Sequence, residues 1–158
     1  MATLLSVDSP LWCQVMRWFC PHTVLRMGLV HTVPVISIVD DDESVRAATG
    51  SLVRSLGFKA HTFASAEEFL RSQHVDETSC LIADVKMPGI NGIELQGFVH
   101  AGGRRTPIIF ITAFPEERIR VRAMRAGAIG FLSKPFEVAA LIKCLDLALQ
   151  TNDSAAQN

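Results

Sequence analysis

Between residues 35 and 150, short apolar runs and amphipathic helical segments alternate five times, and this alternation limits what the chain can fold into. The apolar runs are Val35 to Val39, Phe58 to Phe63, Cys80 to Asp84, Pro107 to Thr112 and Ile129 to Leu132. Runs of this length bounded by turn residues read as strands. Between them, Glu43 to Leu56 carries Val45, Ala48, Leu52, Val53 and Leu56 at helical spacing, and Gly57 stands where such a helix stops. Ser65 caps a second helix that runs to about Ser72, with Glu68 completing a capping box. Ile93 to His100 predicts a third helix, ended by Gly102-Gly103. Glu116 to Arg125 predicts a fourth, with acids at the end where the helix dipole favours them, and Glu137 to Gln150 a fifth.

Strands alternating with helices specify an α/β fold with a parallel sheet covered on both faces. Right-handed crossovers leave few topologies. The expected one is a flavodoxin-like, doubly wound five-stranded sheet of order 2-1-3-4-5, whose crevice lies at the carboxyl ends of strands 1 and 3.

The chain of 158 residues is 49% hydrophobic and 20% charged, enough apolar material for one core and too little charge for general disorder. A net charge of −1 argues against direct nucleic-acid binding by this chain. Cys13, Cys20, Cys80 and Cys144 show no metal or redox spacing and read as reduced thiols filling apolar space, which suits a cytoplasmic protein. Residues 1–34 precede the regular pattern as an extension. Arg17, Pro21, His22 and Arg26 interrupt its apolar part, so it predicts no membrane span, and no secretory signal stands out. Trp12, Val15, Met16 and Phe19 fall on one helical face. The extension is therefore either a short amphipathic docking helix or a product of start-codon choice, since Met27 opens a more ordinary lead-in. Residues 35–150 form the expected domain, and 151–158 a polar, frayed tail or linker.

In the expected fold the residues just past each strand share one rim. They are Asp40-Asp41-Asp42-Glu43, then Asp84, Thr112 and Ser133-Lys134-Pro135. Taken singly, each reads as a helix cap, a solvated helix start or a loop. Together they place acids, a hydroxyl and a lysine in one crevice. Close carboxylates repel and call for a cation, and hard oxygen ligands suit Mg²⁺. Lys134 adds a positive charge and Thr112 a hydroxyl donor. Asp84, followed by the turn-forming Pro88-Gly89-Ile90-Asn91-Gly92, is then the carboxylate placed to attack phosphorus. Asp42 and Glu43 read as helix-start residues, and the five histidines (His22, His31, His61, His74 and His100) lie off the rim as surface or structural groups.

Four segments carry a resemblance. They are Val39-Asp40-Asp41, Asp84-Val85-Lys86-Met87-Pro88-Gly89-Ile90-Asn91-Gly92, Ile111-Thr112-Ala113, and Ala126 through Phe136 with its Ser133-Lys134-Pro135-Phe136 end. In this order the chain from about 35 to 149 resembles the receiver domain of two-component response regulators, most closely the nitrogen-fixation-regulator type. The resemblance implies that Asp84 accepts a phosphoryl group from a sensor histidine kinase in a phosphorelay. It implies that Asp41, Asp84 and the backbone carbonyl of Lys86 ligate Mg²⁺ directly, with Asp40 acting through water. Thr112 and Lys134 would bind phosphoryl oxygens, and Thr112 and Phe131 would form the switch. A homodimer or partner would use the face made by helix 4, strand 5 and helix 5. Enzymatic activity would be confined to self-phosphorylation and autodephosphorylation. Phe131 stands where many relatives carry tyrosine.

Two other readings remain open at this level. Relatives of this type commonly continue into a DNA-binding domain, so the chain reads also as the regulatory half of a transcription regulator. Asp40-Asp41-Asp42-Glu43-Ser44 also fits the start of haloacid-dehalogenase-type phosphatases, with Asp40 as nucleophile.

Overall fold

A computed structural model describes residues 32–155, with side chains to residue 151. The extension, including the helical face of Trp12, Val15, Met16 and Phe19, lies outside the described residues up to residue 31, as do His22 and His31. No helix among the described residues is long and apolar enough to cross a membrane.

Five strands and five helices alternate from Val35 onward: β1 (Val35–Val39), α1 (Glu43–Ser55), β2 (Lys59–Phe63), α2 (Ala66–Arg71), β3 (Cys80–Asp84), α3 (Gly92–Ala101), β4 (Ile108–Thr112), α4 (Glu117–Arg125), β5 (Gly130–Ser133) and α5 (Val138–Ala155). The sheet has the order β2-β1-β3-β4-β5, with every pairing parallel. This is the fold class and strand order that the alternation predicts.

Strands β1, β3 and β4 are buried along their whole length because helices cover both faces. Period-two alternation divides their side chains between two cores. Ile36, Ile38, Ile82, Ile109 and Ile111 pack with Val53 of α1 and with Leu141, Leu145 and Ala148 of α5. Val39, Leu81, Ala83, Ile108 and Phe110 face the other way, against Phe69, Leu95, Val99 and Ala123 from α2, α3 and α4. Leu145 is 1% exposed, and truncating such a buried leucine to alanine costs about 2–5 kcal/mol.

Local chemistry sets the element boundaries. Asp42 caps α1 by accepting the Ser44 and Val45 N–H groups, as its reading as a helix-start residue requires. Gly57, at φ +90°, takes the left-handed position just past that helix. Ser65 does cap α2 by accepting from the Glu68 N–H at 3.1 Å. The expected capping box does not close there, because Glu68 Oε2 accepts from the Ala64 N–H, one residue before the cap. A complete box forms instead at Asn91 and Glu94, at the start of α3. The expectation of a frayed tail from Thr151 is also corrected, since α5 continues to Ala155. Thr151 Oγ1 donates to the Leu147 and Ala148 carbonyls, which lets a short polar residue stay in a helix.

Thr151 lines a surface hollow with Arg104, Arg105, Pro107 and Gly127, residues that lead into β4 and β5. Helix α5 therefore passes the sheet edge opposite Asp84, as the topology predicts.

Candidate functional site

Each carboxyl strand end delivers one group to the same crevice. β1 ends into Asp40 and Asp41, β3 ends on Asp84, β4 on Thr112, and β5 leads through Ser133 to Lys134, whose bond to Pro135 is cis. The pairing register sets Asp84 beside Ile111 and Thr112 beside Ser133, so these ends are level. Oxygens of Asp40, Asp41 and Asp84 lie within 4.8 Å of one another. Asp40 and Asp84 are buried, at 4% and 8% exposure, while Asp41 is open to solvent.

Lys134 stands between the two buried acids. Its Nζ lies 2.6 Å from Asp40 Oδ2 and 3.5 Å from Asp84 Oδ2. Asp40 Oδ1 accepts the Asp42 N–H at 2.9 Å, and Asp84 Oδ1 accepts the Val85 N–H at 2.7 Å. Burial pushes the Asp84 carboxyl above its ordinary range; Lys134 opposes that rise and the charge on Asp40 adds to it. For Lys134, burial pulls the ammonium down, but its hydrogen bond to Asp40 and the charge of Asp84 outweigh this and raise it. The ammonium is therefore fixed as a cation.

Three carboxylates against one ammonium leave a local excess of about two negative charges when all are ionised. Like charges this close need a counter-ion, and an all-oxygen donor set with one solvent-facing member fits a hard divalent cation such as Mg²⁺. The residues present fit that group.

Thr112 is fully buried, and its Oγ1 accepts the Phe114 N–H at 3.2 Å while its carbonyl accepts the Lys134 N–H at 2.8 Å. The threonine thus ties its own loop to the lysine's. The Lys86 side chain turns away from the acids to pair with Glu116 Oε1 at 2.8 Å, with its ammonium 4.9 Å from the centre of the Phe114 ring. Phe131 is not in the crevice. It is half-buried on β5, packed at 6.2 Å from the Phe110 ring across the strand pair.

Three further features position the site, and two of them, at Arg46 and Glu67, escape the sequence pattern. Arg46 of α1 donates to the Asp40 carbonyl at 2.7 Å, holding the acidic turn against the helix. Glu67 of α2 accepts the Ile90 N–H at 2.9 Å and so braces the loop that follows Asp84. Gly92 is required by close approach, because a Cβ there would run into the Asp84 carbonyl oxygen. Of the three, only Gly92 lay in a stretch whose turn chemistry was readable in advance.

A doubly wound sheet that gathers acids, a hydroxyl and a lysine at its carboxyl edge defines an α/β module with an acidic crevice at the place where such sheets open to ligands. The chain belongs to the response regulator receiver domain family, whose model matches residues 36–146. It is 43% identical over 105 residues to Nodulation protein W of Bradyrhizobium diazoefficiens, covering 66% of this chain and 46% of that protein. The solved structure of the response regulator StyR covers 80% of this chain and 64% of its own, at 44% identity and a TM-score of 0.74. The structure of FixJ-N, at 31% identity and a TM-score of 0.68, covers 75% of this chain and 95% of its own, in keeping with the nitrogen-fixation-regulator resemblance. The chain spans about half to three fifths of the length of such curated relatives. Receiver domains are signalling rather than enzymatic modules that interact with sensor histidine kinases and bind Mg²⁺ at an acidic pocket.

Proposed function

We propose that Asp84 accepts a phosphoryl group from the phosphohistidine of a sensor histidine kinase and that this charge event switches a partner surface. The observation that carries the reading is the Lys134 ammonium 3.5 Å from Asp84 Oδ2, within reach of an oxygen on any group that Asp84 acquires. In the transfer, an Asp84 oxygen forms a bond to phosphorus as the phosphorus–nitrogen bond breaks, and the kinase imidazole leaves with the electron pair. Lys134 pairs with a phosphoryl oxygen, and the Thr112 hydroxyl turns from the Phe114 amide to donate to another. Asp41, Asp84 and the Lys86 carbonyl are the direct ligands in this reading, with Asp40 acting through water. Mg²⁺ bound there supplies charge neutralisation for the phosphoryl oxygens. Self-phosphorylation from small phosphodonors and autodephosphorylation use the same groups.

Movement of Thr112 carries Phe131 inward, changing the face made by α4, β5 and α5. Val121 and Met124 are exposed on α4, which supports that face as the site of a homodimer or partner contact. Beside Lys134, an apolar hollow lined by Val45, Ala48, Leu52, Pro135, Phe136 and Val138 suits docking of the kinase.

The test is incubation with acetyl phosphate, with and without Mg²⁺, followed by phosphate-affinity electrophoresis of wild type, Asp84→Asn and Asp40→Asn. A Mg²⁺-dependent slow band that Asp84→Asn abolishes is expected. A band that survives Asp84→Asn and disappears in Asp40→Asn would restore the phosphatase reading, which the family assignment otherwise leaves without support.

A second reading makes this receiver the regulatory half of a transcription regulator. It is favoured by relatives such as the transcriptional regulatory protein FixJ of Azorhizobium caulinodans, 35% identical over 114 residues. A coding frame that continues beyond Asn158 into a helix-turn-helix would establish it.

A further inference from the structure

Away from the crevice, the sheet edge carries a cluster that the phosphoryl reading does not use. His61 lies on β2, the outermost strand, and His74 and Glu77 lie in the segment joining α2 to β3. The two imidazoles stack with centres 3.8 Å apart and planes 16° from parallel. Both present a ring nitrogen to the same carboxylate oxygen: His74 Nδ1 is hydrogen-bonded to Glu77 Oε1, and His61 Nε2 lies 3.6 Å from it. One ligand atom from each of the three residues falls within 4.8 Å of the others.

We propose that His61, His74 and Glu77 form a second metal site, selective for a divalent transition ion of the zinc type and independent of the carboxylate crevice. The donor set decides the class. Two imidazole nitrogens and one carboxylate oxygen suit Zn²⁺, Co²⁺ or Ni²⁺, whereas the all-oxygen crevice suits Mg²⁺. Three protein ligands leave a coordination position for water or a partner's side chain.

The segment holding two of the ligands is pinned before any metal arrives, which lowers the ordering cost of binding. The His74 N–H donates to Ser72 Oγ at 3.2 Å, and Thr78 Oγ1 donates to the His74 carbonyl at 2.6 Å. Thr78 Oγ1 also shares a 2.8 Å hydrogen bond with Ser37 Oγ in the core, Val75 is buried, and Asp76 pairs with Arg104 at 2.7 Å. The Phe63 ring, 6.3 Å from His74, makes an apolar wall behind the ligands.

In a stacked pair the nitrogen lone pairs run side by side, so coordination requires one ring to turn about its side-chain bonds. With 35% and 27% of their side chains exposed, His61 and His74 have room for that turn.

The experiment uses the whole 158-residue chain, stripped of metal and then held in saturating Mg²⁺ so that the crevice is occupied. Zn²⁺ is titrated calorimetrically into wild type, His61→Gln, His74→Gln and Glu77→Gln, and Co²⁺ spectra and imidazole NMR signals are recorded on wild type. The expected result is one equivalent bound, weakened at least about tenfold by each substitution. Binding should weaken as pH falls, because protons compete with the ion for the imidazole nitrogens. The His61 and His74 signals should shift on Zn²⁺ addition, and the Co²⁺ spectrum should lack a thiolate charge-transfer band. Absence of binding, binding untouched by all three substitutions, or a thiolate band that assigns the ion to cysteines would each overturn the proposal. The NMR measurement on wild type stands even where a variant fails to fold, and none of these readouts depends on phosphorylation of Asp84.

Discussion

Lys134 Nζ lies 2.6 Å from Asp40 Oδ2 and 3.5 Å from Asp84 Oδ2, so one ammonium joins acids delivered by β1 and β3 to the end of β5. Only 15% of the lysine side chain is exposed, and the two carboxylates are still more enclosed. Replacing Lys134 by methionine keeps the aliphatic bulk and leaves both acids without their cation. The expected cost in metal-free buffer is about 1–3 kcal/mol, because the site opens to solvent on one side and the acids recover part of their hydration. Urea unfolding of the two proteins measures this. Acetyl phosphate labelling of the variant should be about a hundredfold slower, the scale for losing one fixed charge-stabilising donor. A variant that labels at the wild-type rate would remove Lys134 from the transfer.

Glu67 accepts the Ile90 N–H at 2.9 Å, a bond that joins α2 to the loop after Asp84. That bond favours the charged carboxylate and holds Glu67 below its ordinary 4.5. A carboxyl whose folded value is depressed contributes stability above its unfolded value, and the contribution is lost as pH falls through the folded one. The melting temperature of Glu67→Gln should therefore lie furthest below wild type at neutral pH. The gap should close as pH drops below 4.5. Faster amide exchange at Ile90 in the variant, at neutral pH, locates the effect in the loop. A pH-independent gap would mean that the carboxylate charge plays no part in it.

Two glycines of α3 predict opposite outcomes for one substitution. At Gly92 an added Cβ meets the Asp84 carbonyl, a backbone atom that cannot move without shifting the end of β3. Gly92→Ala should cost about 1–3 kcal/mol and slow phosphorylation by displacing Asp84. At Gly97 nothing lies within 4 Å of the same atom, and the residue is exposed within the helix. Gly97→Ala should stabilise by about 0.5–1 kcal/mol through helix propensity alone, with phosphorylation unchanged. Chemical denaturation of the pair tests both signs together.

Much of this was legible in the chain itself. Strands such as Ile108–Thr112 and helices such as Glu43–Ser55 follow from periodicity, which depends only on residues near each other in sequence. The rim acids and Lys134 were legible for a related reason: in a parallel sheet, a position just past a strand is a position on the rim. The capping box expected at Ser65 and formed at Asn91 marks the boundary of that logic. Both sites carry the sequence pattern, yet Glu94 closes back on its cap residue whereas Glu68 accepts from Ala64, one residue earlier.

The sequence by itself therefore determined the order of elements, the sheet topology and the acidic, hydroxyl and basic groups of the crevice. Each of these needs only local patterning plus one rule of handedness. Tertiary structure alone decided the contacts between side chains far apart in the chain. The Lys134–Asp40 pair spans 94 positions, Glu67 reaches Ile90 across 23, and His61 meets Glu77 from a neighbouring element. No periodicity encodes such meetings. They depend on which strands become neighbours, in what register, and on where a connecting segment such as residues 72–79 is held against the edge strand.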